Sequence, residues 1–310
     1  MKILITGVHG FVGSNLVESL KKDHTIYGLD IISPQKDGVR FTFSWDFLDK
    51  PGEIPEVDAI IHLAGKAHDT KNQSVADVYF KVNTGLTQKI FDWFLAQPNC
   101  KKFVFFSTAK AAADKVDGIL TEDVVPSPVG PYGESKIKAE EYILSKAPTD
   151  KQVYIIRPCM IHGPGNKGNL NLLYNVVKKG IPWPLGSFEN RRTFTSVENI
   201  CFAVNGILTK DVPSGIYNMG DDEALSTNEL IEEICKSLGK KAHIWRLPKG
   251  LMNGVAKIGG WLHLPLNPER LRKLTESYIS SNAKIKKALG VEKMPVDARE
   301  GLKVTLESFK

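Results

Sequence analysis

The stretch that most narrows the folds open to this chain is KILITGVHGFVGSNL, residues 2–16. A short apolar, β-branched run leads straight into Gly7, Gly10 and Gly13, and the apolar spacing then changes to that of a helix. Glycine permits a tight turn and lets backbone approach a pyrophosphate closely. The helix that follows offers free N–H groups and a partial positive charge at its first turn. A lone Gly-x-x-Gly-x-x-Gly is a weak signal. In a strand–turn–helix context it reads as a dinucleotide-binding turn, against the plainer reading of a structural turn.

The rest of the chain repeats that alternation. KILIT (2–6), TIYGLD (25–30), AIIHLA (59–64), KFVFFS (102–107) and VYIIR (153–157) read as buried parallel strands. Amphipathic segments such as 12–22, 75–96 and 132–146 lie between them. The expected class is α/β: a doubly wound parallel sheet, Rossmann-like, with a smaller α-rich lobe. After Pro158 the texture changes, with Gly, Pro and Asn over 163–191 and helical patterns over 221–310. The expected division is 1–163 with a returning segment of about 190–220 for the dinucleotide domain. About 164–189 and 221–310 would form the substrate lobe. Ligands of such sheets bind at the carboxyl ends of the strands, near the topological switch point.

Composition excludes several classes. With 310 residues, 42% of them hydrophobic, the chain can bury a sizeable core. A net charge of +6 without a basic block predicts no nucleic-acid partner. MKILITG turns to glycine too early for a signal-peptide core. The apolar stretch LMNGVAKIGGWLHLPL (251–266) is broken by Lys257, three glycines and Pro265, too short and interrupted to span a bilayer, so no membrane partner is expected. Cys100, Cys159, Cys201 and Cys235 stand far apart, which suits reduced thiols in the cytoplasm. No His, Cys and carboxylate cluster has metal spacing, so no metal is expected.

Candidate site residues fall at strand ends. Asp30 closes the second named strand, where a carboxylate accepts both ribose hydroxyls of an adenosine and repels a 2′-phosphate. This favours NAD over NADP, although Lys36 and Arg40 stand nearby; the competing role is a turn cap. Asp46, in SWDFLD, is placed to bond an adenine amino group, and Asn83, in KVNTGLTQ, lies at the depth of the nicotinamide half. Either residue could instead be an N-cap. Tyr-x-x-x-Lys occurs three times, at Tyr132/Lys136, Tyr142/Lys146 and Tyr174/Lys178. Only the first follows a strand-end hydroxyl pair, Ser107 and Thr108, at loop distance.

Together these features resemble the extended short-chain dehydrogenases/reductases of the NAD-dependent epimerase/dehydratase family. The resemblance runs from residue 1 to about 200 through Gly7/Gly10/Gly13, Asp30, DFLD, HLAG, VNTGLTQ, FFST, YGESK and RPCMIHGPG. It implies NAD as cofactor, held by Gly7, Gly10, Phe11, Val12, Gly13, Asp30, Asp46, Phe47, Leu63, Ala64, Gly65, Asn83, Ser107, Tyr132, Lys136 and Pro158. It implies Tyr132 as acid/base, Lys136 as the charge favouring its phenolate, and Thr108 as a catalytic partner on the reacting oxygen. It also implies a homodimer packed through 85–97 and 132–146, with Phe91, Phe94, Ile137 and Ile143 as apolar contacts unless these face the sheet.

Departures narrow the reaction. Dehydratases of the family place Asp-Glu after the catalytic Thr, where this chain has Ala109 and Lys110, so 4,6-dehydration is disfavoured. AAA (111–113) replaces the common Val-Tyr-Gly, and Met160 and His162 stand where many members carry Asn and Tyr. Cys159 and His162 are either an acid/base pair or a packed thiol beside a loop histidine. The stretch 163–200 resembles members acting on UDP-linked N-acetylamino sugars, which implies Asn169, Arg192 and Arg270 as contacts to a substrate diphosphate. The expected activity is a 4-epimerase or 4-ketoreductase on a UDP-sugar; the alternative is an inactive dinucleotide-binding member.

Overall fold

The structure, a computed structural model, describes residues 1–50, 52–66, 75–166, 168–262 and 266–310; Pro265 lies outside them. The first half runs β1 (Lys2–Thr6), α1 (Phe11–Leu20), β2 (Thr25–Leu29), β3 (Val39–Phe43), β4 (Ala59–His62), α2 (Ala76–Tyr79), α3 (Leu86–Ala96), β5 (Lys102–Phe106), α4 (Ala109–Ala112), β6 (Ile119–Leu120) and α5 (Pro131–Ser145). There follow β7 (Gln152–Pro158), β8 (Met160–His162), α6 (Asn169–Lys178), β9 (Arg192–Ser196), α7 (Val197–Thr209), β10 (Gly215–Met219) and β11 (Ala224–Leu225). The chain continues with α8 (Thr227–Ser237), α9 (Lys249–Trp261), α10 (Pro268–Thr275), β12 (Ile279–Ser280), α11 (Ala283–Leu289) and α12 (Ala298–Glu307).

Seven strands form one parallel sheet in the order β10-β7-β5-β4-β1-β2-β3. The chain winds outward from β1 in one direction, then restarts on its other side at β4. That reversal opens the crevice where such sheets bind ligands. The five strands read from the sequence are all present. Two further members, β3 and β10, are not continuous apolar runs: β3 leaves Arg40 and Phe41 exposed and β10 carries Asn218.

The period-2 alternation of a strand sends successive side chains to opposite faces. Ile3 and Ile5 therefore join Leu16, Val17, Ile200 and Val204 on one face, while Leu4 joins Ile90, Phe91, Phe94 and Ile143 on the other. This corrects the expected dimer contacts: Phe91, Phe94, Ile137 and Ile143 are buried within the chain, three of them in the core against the sheet. The surface of α3 and α5 instead carries a polar group in which the Tyr142 hydroxyl donates to Asp92 at 2.7 Å and the Lys146 ammonium reaches it at 3.0 Å. Segment 75–96 is not one regular helix, because α2 gives way to a π-helical turn at Phe80–Gly85 before α3 begins.

Beyond the sheet, β8, β9 and β11 pair separately, and Leu170, Tyr174, Trp183, Ile231, Met252 and Leu302 share a second core. Ile285 and Leu289 of α11 pack into the sheet's core instead. β12 pairs with β6 and ties residues 279–280 to the segment that follows β5. Among the described residues no helix is long and apolar enough to cross a membrane.

Candidate active site

The turn after β1 is built so that only glycine fits. Gly7 has φ +69°, and a β-carbon there would lie 3.0 Å from the Ala64 nitrogen. At Gly13 a β-carbon would fall 2.4 Å from the Gly7 carbonyl oxygen, so α1 could not pack this closely against the turn. Gly10 caps α1, and Phe11 and Val12 form its first turn with free backbone donors. Asp30 sits beside this turn, accepting from His9 N at 3.0 Å and Ile31 N at 2.8 Å. The cradle has the shape and donors that fit a dinucleotide pyrophosphate, and the Asp30 carboxylate beside it has the chemistry to accept ribose hydroxyls.

A buried polar chain fixes the neighbouring strand ends. Leu63 N and Ala64 N donate to the Thr6 hydroxyl at 3.1 and 3.0 Å. Thr6 bonds His62 Nδ1 at 2.7 Å, His62 Nε2 bonds Thr87 at 2.9 Å, and Thr87 donates to the Asn83 carbonyl at 2.6 Å. Burial, with the Lys136 charge nearby, holds the His62 imidazole well below its usual pKa. The neutral ring therefore carries its proton on Nε2, the tautomer these partners require.

Asn83 is fully buried in the π-helical turn and is not an N-cap. Its side chain accepts from Lys66 N at 2.7 Å and donates to Lys66 O and Ser135 Oγ at 3.1 and 2.9 Å. It thus braces the loop after β4 against α5. Gly65 lies between them: a β-carbon there would sit 2.9 Å from Asn83 Oδ1 and 3.2 Å from Lys136 Nζ.

At the end of β5, Thr108 caps α4, its hydroxyl accepting from Lys110 N at 3.3 Å. The Tyr132 phenol lies beside the Thr108 side chain, which lowers its pKa against burial, and its ring meets Tyr79 edge-on at 6.3 Å. Gly130, at φ +85°, and Pro131 start α5, and Gly133 has no room for a β-carbon, which would meet the Lys110 carbonyl at 2.7 Å. The first turn of α5 is therefore seated on α4. One turn on, Lys136 Nζ donates to the Phe106 carbonyl at 2.8 Å over the Phe105 ring. The other two pairs stand elsewhere: Tyr142 and Lys146 are half-exposed on the surface, and Tyr174 is buried in the second core.

Burial raises the Tyr132 pKa and pushes Lys136 down to about 8. The unfolded chain binds the Lys136 proton more readily, so the folding penalty is full below about pH 8 and fades as pH rises towards the ordinary 10.5. Lys136→Met should therefore stabilise the fold at pH 7 by about 1–3 kcal/mol, with the gain shrinking at pH 9–10. Urea unfolding of both proteins across that range checks the sign.

Ser107 donates to Glu140, which pairs with Arg157 through Nε at 3.0 Å and an Nη at 2.5 Å. Pro158 ends β7 opposite Met219. Asp46 is exposed and held by Ser44 and Lys50, and Phe47 packs on Phe43 at 5.3 Å. Asn169 is exposed at the start of α6. Arg192 opens β9 with its guanidinium donating to the carbonyls of Glu276, at 2.9 Å, and Lys273. It bridges to Tyr278, whose hydroxyl reaches the Ala113 carbonyl at 2.9 Å, linking Arg192 to the end of α4. Arg270 is exposed on α10. Cys159 and His162 are not a pair: burial pushes the thiol up to about 12, while His162 bonds Thr305 at 2.9 Å and faces Asp221.

Sequence reasoning passed over Tyr79, Ser135, Glu140 and the Thr6–His62–Thr87 chain. Arg157 stood in a quoted motif, but nothing in local spacing joins it to Glu140.

The family model described as "NAD dependent epimerase/dehydratase family" matches residues 3–220. The chain is 31% identical to a UDP-glucose 4-epimerase of Vibrio cholerae, over 99% of this chain and 95% of that protein. It is 28% identical to N-acetyl-alpha-D-glucosaminyl-diphospho-ditrans,octacis-undecaprenol 4-epimerase of Escherichia coli O157:H7, over 92% and 84% respectively. Among solved structures, UDP-glucuronic acid 4-epimerase from Bacillus cereus in complex with NAD superposes with a TM-score of 0.77 at 21% identity, covering 100% of this chain and 96% of the other. At that identity the match speaks to the fold.

Proposed function

Because this chain belongs to the NAD dependent epimerase/dehydratase family, we propose that it acts at C4 of a UDP-linked sugar, as a 4-epimerase or 4-ketoreductase. The observation that carries this reading is the placement of Tyr132 beside the Thr108 side chain at the end of β5, with Lys136 buried one helical turn away and donating to the Phe106 carbonyl. NAD, when bound, supplies the hydride acceptor and donor. Tyr132 takes the proton of the C4 hydroxyl during oxidation and returns one on reduction. Thr108 donates to the C4 oxygen. Lys136 keeps its proton at neutral pH, and an ammonium one helical turn from Tyr132 favours phenolate over phenol. Comparing sugar turnover by the parent and Tyr132→Phe tests this reading.

The Lys110 ammonium pairs with Asp114, and Ala109 has no proton to give, which weighs against a dehydratase. An N-acetylamino sugar as the UDP-linked group rests on the likeness of residues 163–200. Asn169, Arg192 and Arg270 are the proposed diphosphate contacts, Arg192 being pre-positioned by two backbone carbonyls. The dinucleotide domain is proposed as 1–163 with about 190–220, and the rest as the sugar lobe. A homodimer would have to form through surfaces other than the four buried residues on α3 and α5. Four free thiols suit the cytoplasm.

Asp30 gives a prediction on the cofactor. Asp30→Asn should lower the preference for NAD over NADP by about 10- to 100-fold, the value of a charge-assisted hydrogen bond. Titration with each dinucleotide measures that ratio.

A further inference from the structure

We propose that α9 is a docking helix for an anionic membrane surface, lying in the headgroup layer without spanning it. The inference stands apart from the sugar chemistry. Met252, Ala256 and Gly259 of α9 are buried, the first two in the second core. On the adjoining face Leu251 is 54% exposed, Val255 45%, Ile258 59% and Trp261 80%, with Leu262 just beyond at 51%. Spacings of three and four residues place these side chains on one stripe. The outer face of a surface helix is ordinarily charged. Here the apolar face extends beyond the part the core covers, and only Asn253 and Lys257 interrupt the exposed remainder of the middle turns.

Charge identifies the occupant. Residues 234–268 contain Lys236, Lys240, Lys241, Arg246, Lys249 and Lys257 and no Asp or Glu. These six cations equal the net charge of the whole chain, so the rest is balanced. Trp245, in the same stretch, is 54% exposed. An apolar stripe with a tryptophan at its end and Lys249 and Lys257 on the same helix is the pattern of an in-plane membrane helix. The stem of Lys257 can lie along the apolar surface with its ammonium at the phosphates. A second copy of this chain fits less well: a two-fold contact of α9 with itself would set Lys249 and Lys257 of one copy against those of the other.

At 13 residues, α9 is about 20 Å long and cannot span a bilayer. The sequence-based expectation of no membrane partner weighed spanning alone. The docked helix would stand one element from the site. A β-carbon at Gly260 would lie 3.1 Å from Pro268 of α10, and carbonyls near the end of α10 hold Arg192.

Co-sedimentation of the full chain with vesicles tests the proposal. The chain should bind mixed phosphatidylglycerol/phosphatidylcholine vesicles, far less phosphatidylcholine alone, and less at high salt. Ile258→Ser/Trp261→Ser should weaken binding by at least about 30-fold with an unchanged melting temperature, since both side chains point to water. Lys257→Gln should weaken it by about fivefold. The proposal is overturned by absence of binding, or by binding that these substitutions leave unchanged. It is equally overturned if the parent is a dimer that binds no vesicles and the double substitution makes it a monomer, because the stripe then covers a second copy.

Discussion

Tyr132→Phe lowers turnover of a UDP-sugar by about 10²- to 10⁴-fold, the range for loss of a positioned acid/base group, and leaves NAD affinity nearly unchanged. The substitution removes one oxygen and no volume from the core. Its ring keeps the edge contact with Tyr79, and Thr108 keeps the bond from Lys110 N. The proposed cofactor cradle at Gly7, Gly10, Gly13 and Asp30 lies on other elements, so binding and chemistry should separate. Steady-state rates, with calorimetric titration of NAD, measure the two effects. A Phe variant that turns over at the parent rate would show that Tyr132 is not the acid/base.

Glu140→Ala costs about 3–5 kcal/mol of folding stability, the range for breaking a buried ion pair by removing one partner. Glu140 is fully buried on α5, and its carboxylate holds Arg157 and the Ser107 hydroxyl. Removing it leaves a buried guanidinium whose second Nη already has no hydrogen-bond partner. Glu140→Leu with Arg157→Met should recover most of that loss, because the pair offsets its desolvation only when complete. Denaturant midpoints of the three proteins measure this. A second effect separates structure from chemistry. The Glu140 charge raises the Lys136 pKa against burial. Glu140→Gln should therefore lower that pKa further and move the alkaline limit of activity to lower pH. A profile that does not move would confine Glu140 to holding the fold.

Five of the sheet's seven strands were legible because each is a short apolar run at a spacing that suits parallel crossovers, and the cradle because Gly7, Gly10 and Gly13 lead from the first of them into a helix. Tyr132 and Lys136 emerged from two rival pairs through their distance from a strand end. Other features were hidden for physical reasons. Periodicity shows which face of α3 is apolar but not what covers it, so Phe91 and Phe94 read equally as sheet or dimer contacts. The π-helical turn is held by tertiary bonds from Asn83 to Lys66 and Ser135, which no local propensity announces. Arg157 and Glu140 meet across a helix and a strand 17 residues apart. Trp261 and Ile258 showed as apolar residues, and only the fold showed that they stand exposed.

The most direct test of hydride transfer at C4 is isotopic. Protein loaded with NADH deuterated at the transferring position would be given UDP-4-keto-6-deoxy-N-acetylglucosamine, and the recovered sugar read by nuclear magnetic resonance. Deuterium at sugar C4 is the predicted result, one equivalent per site if the cofactor is retained and many if it exchanges. Recovery of the 4-keto sugar unchanged from cofactor-loaded protein, or label on any other carbon, would contradict it.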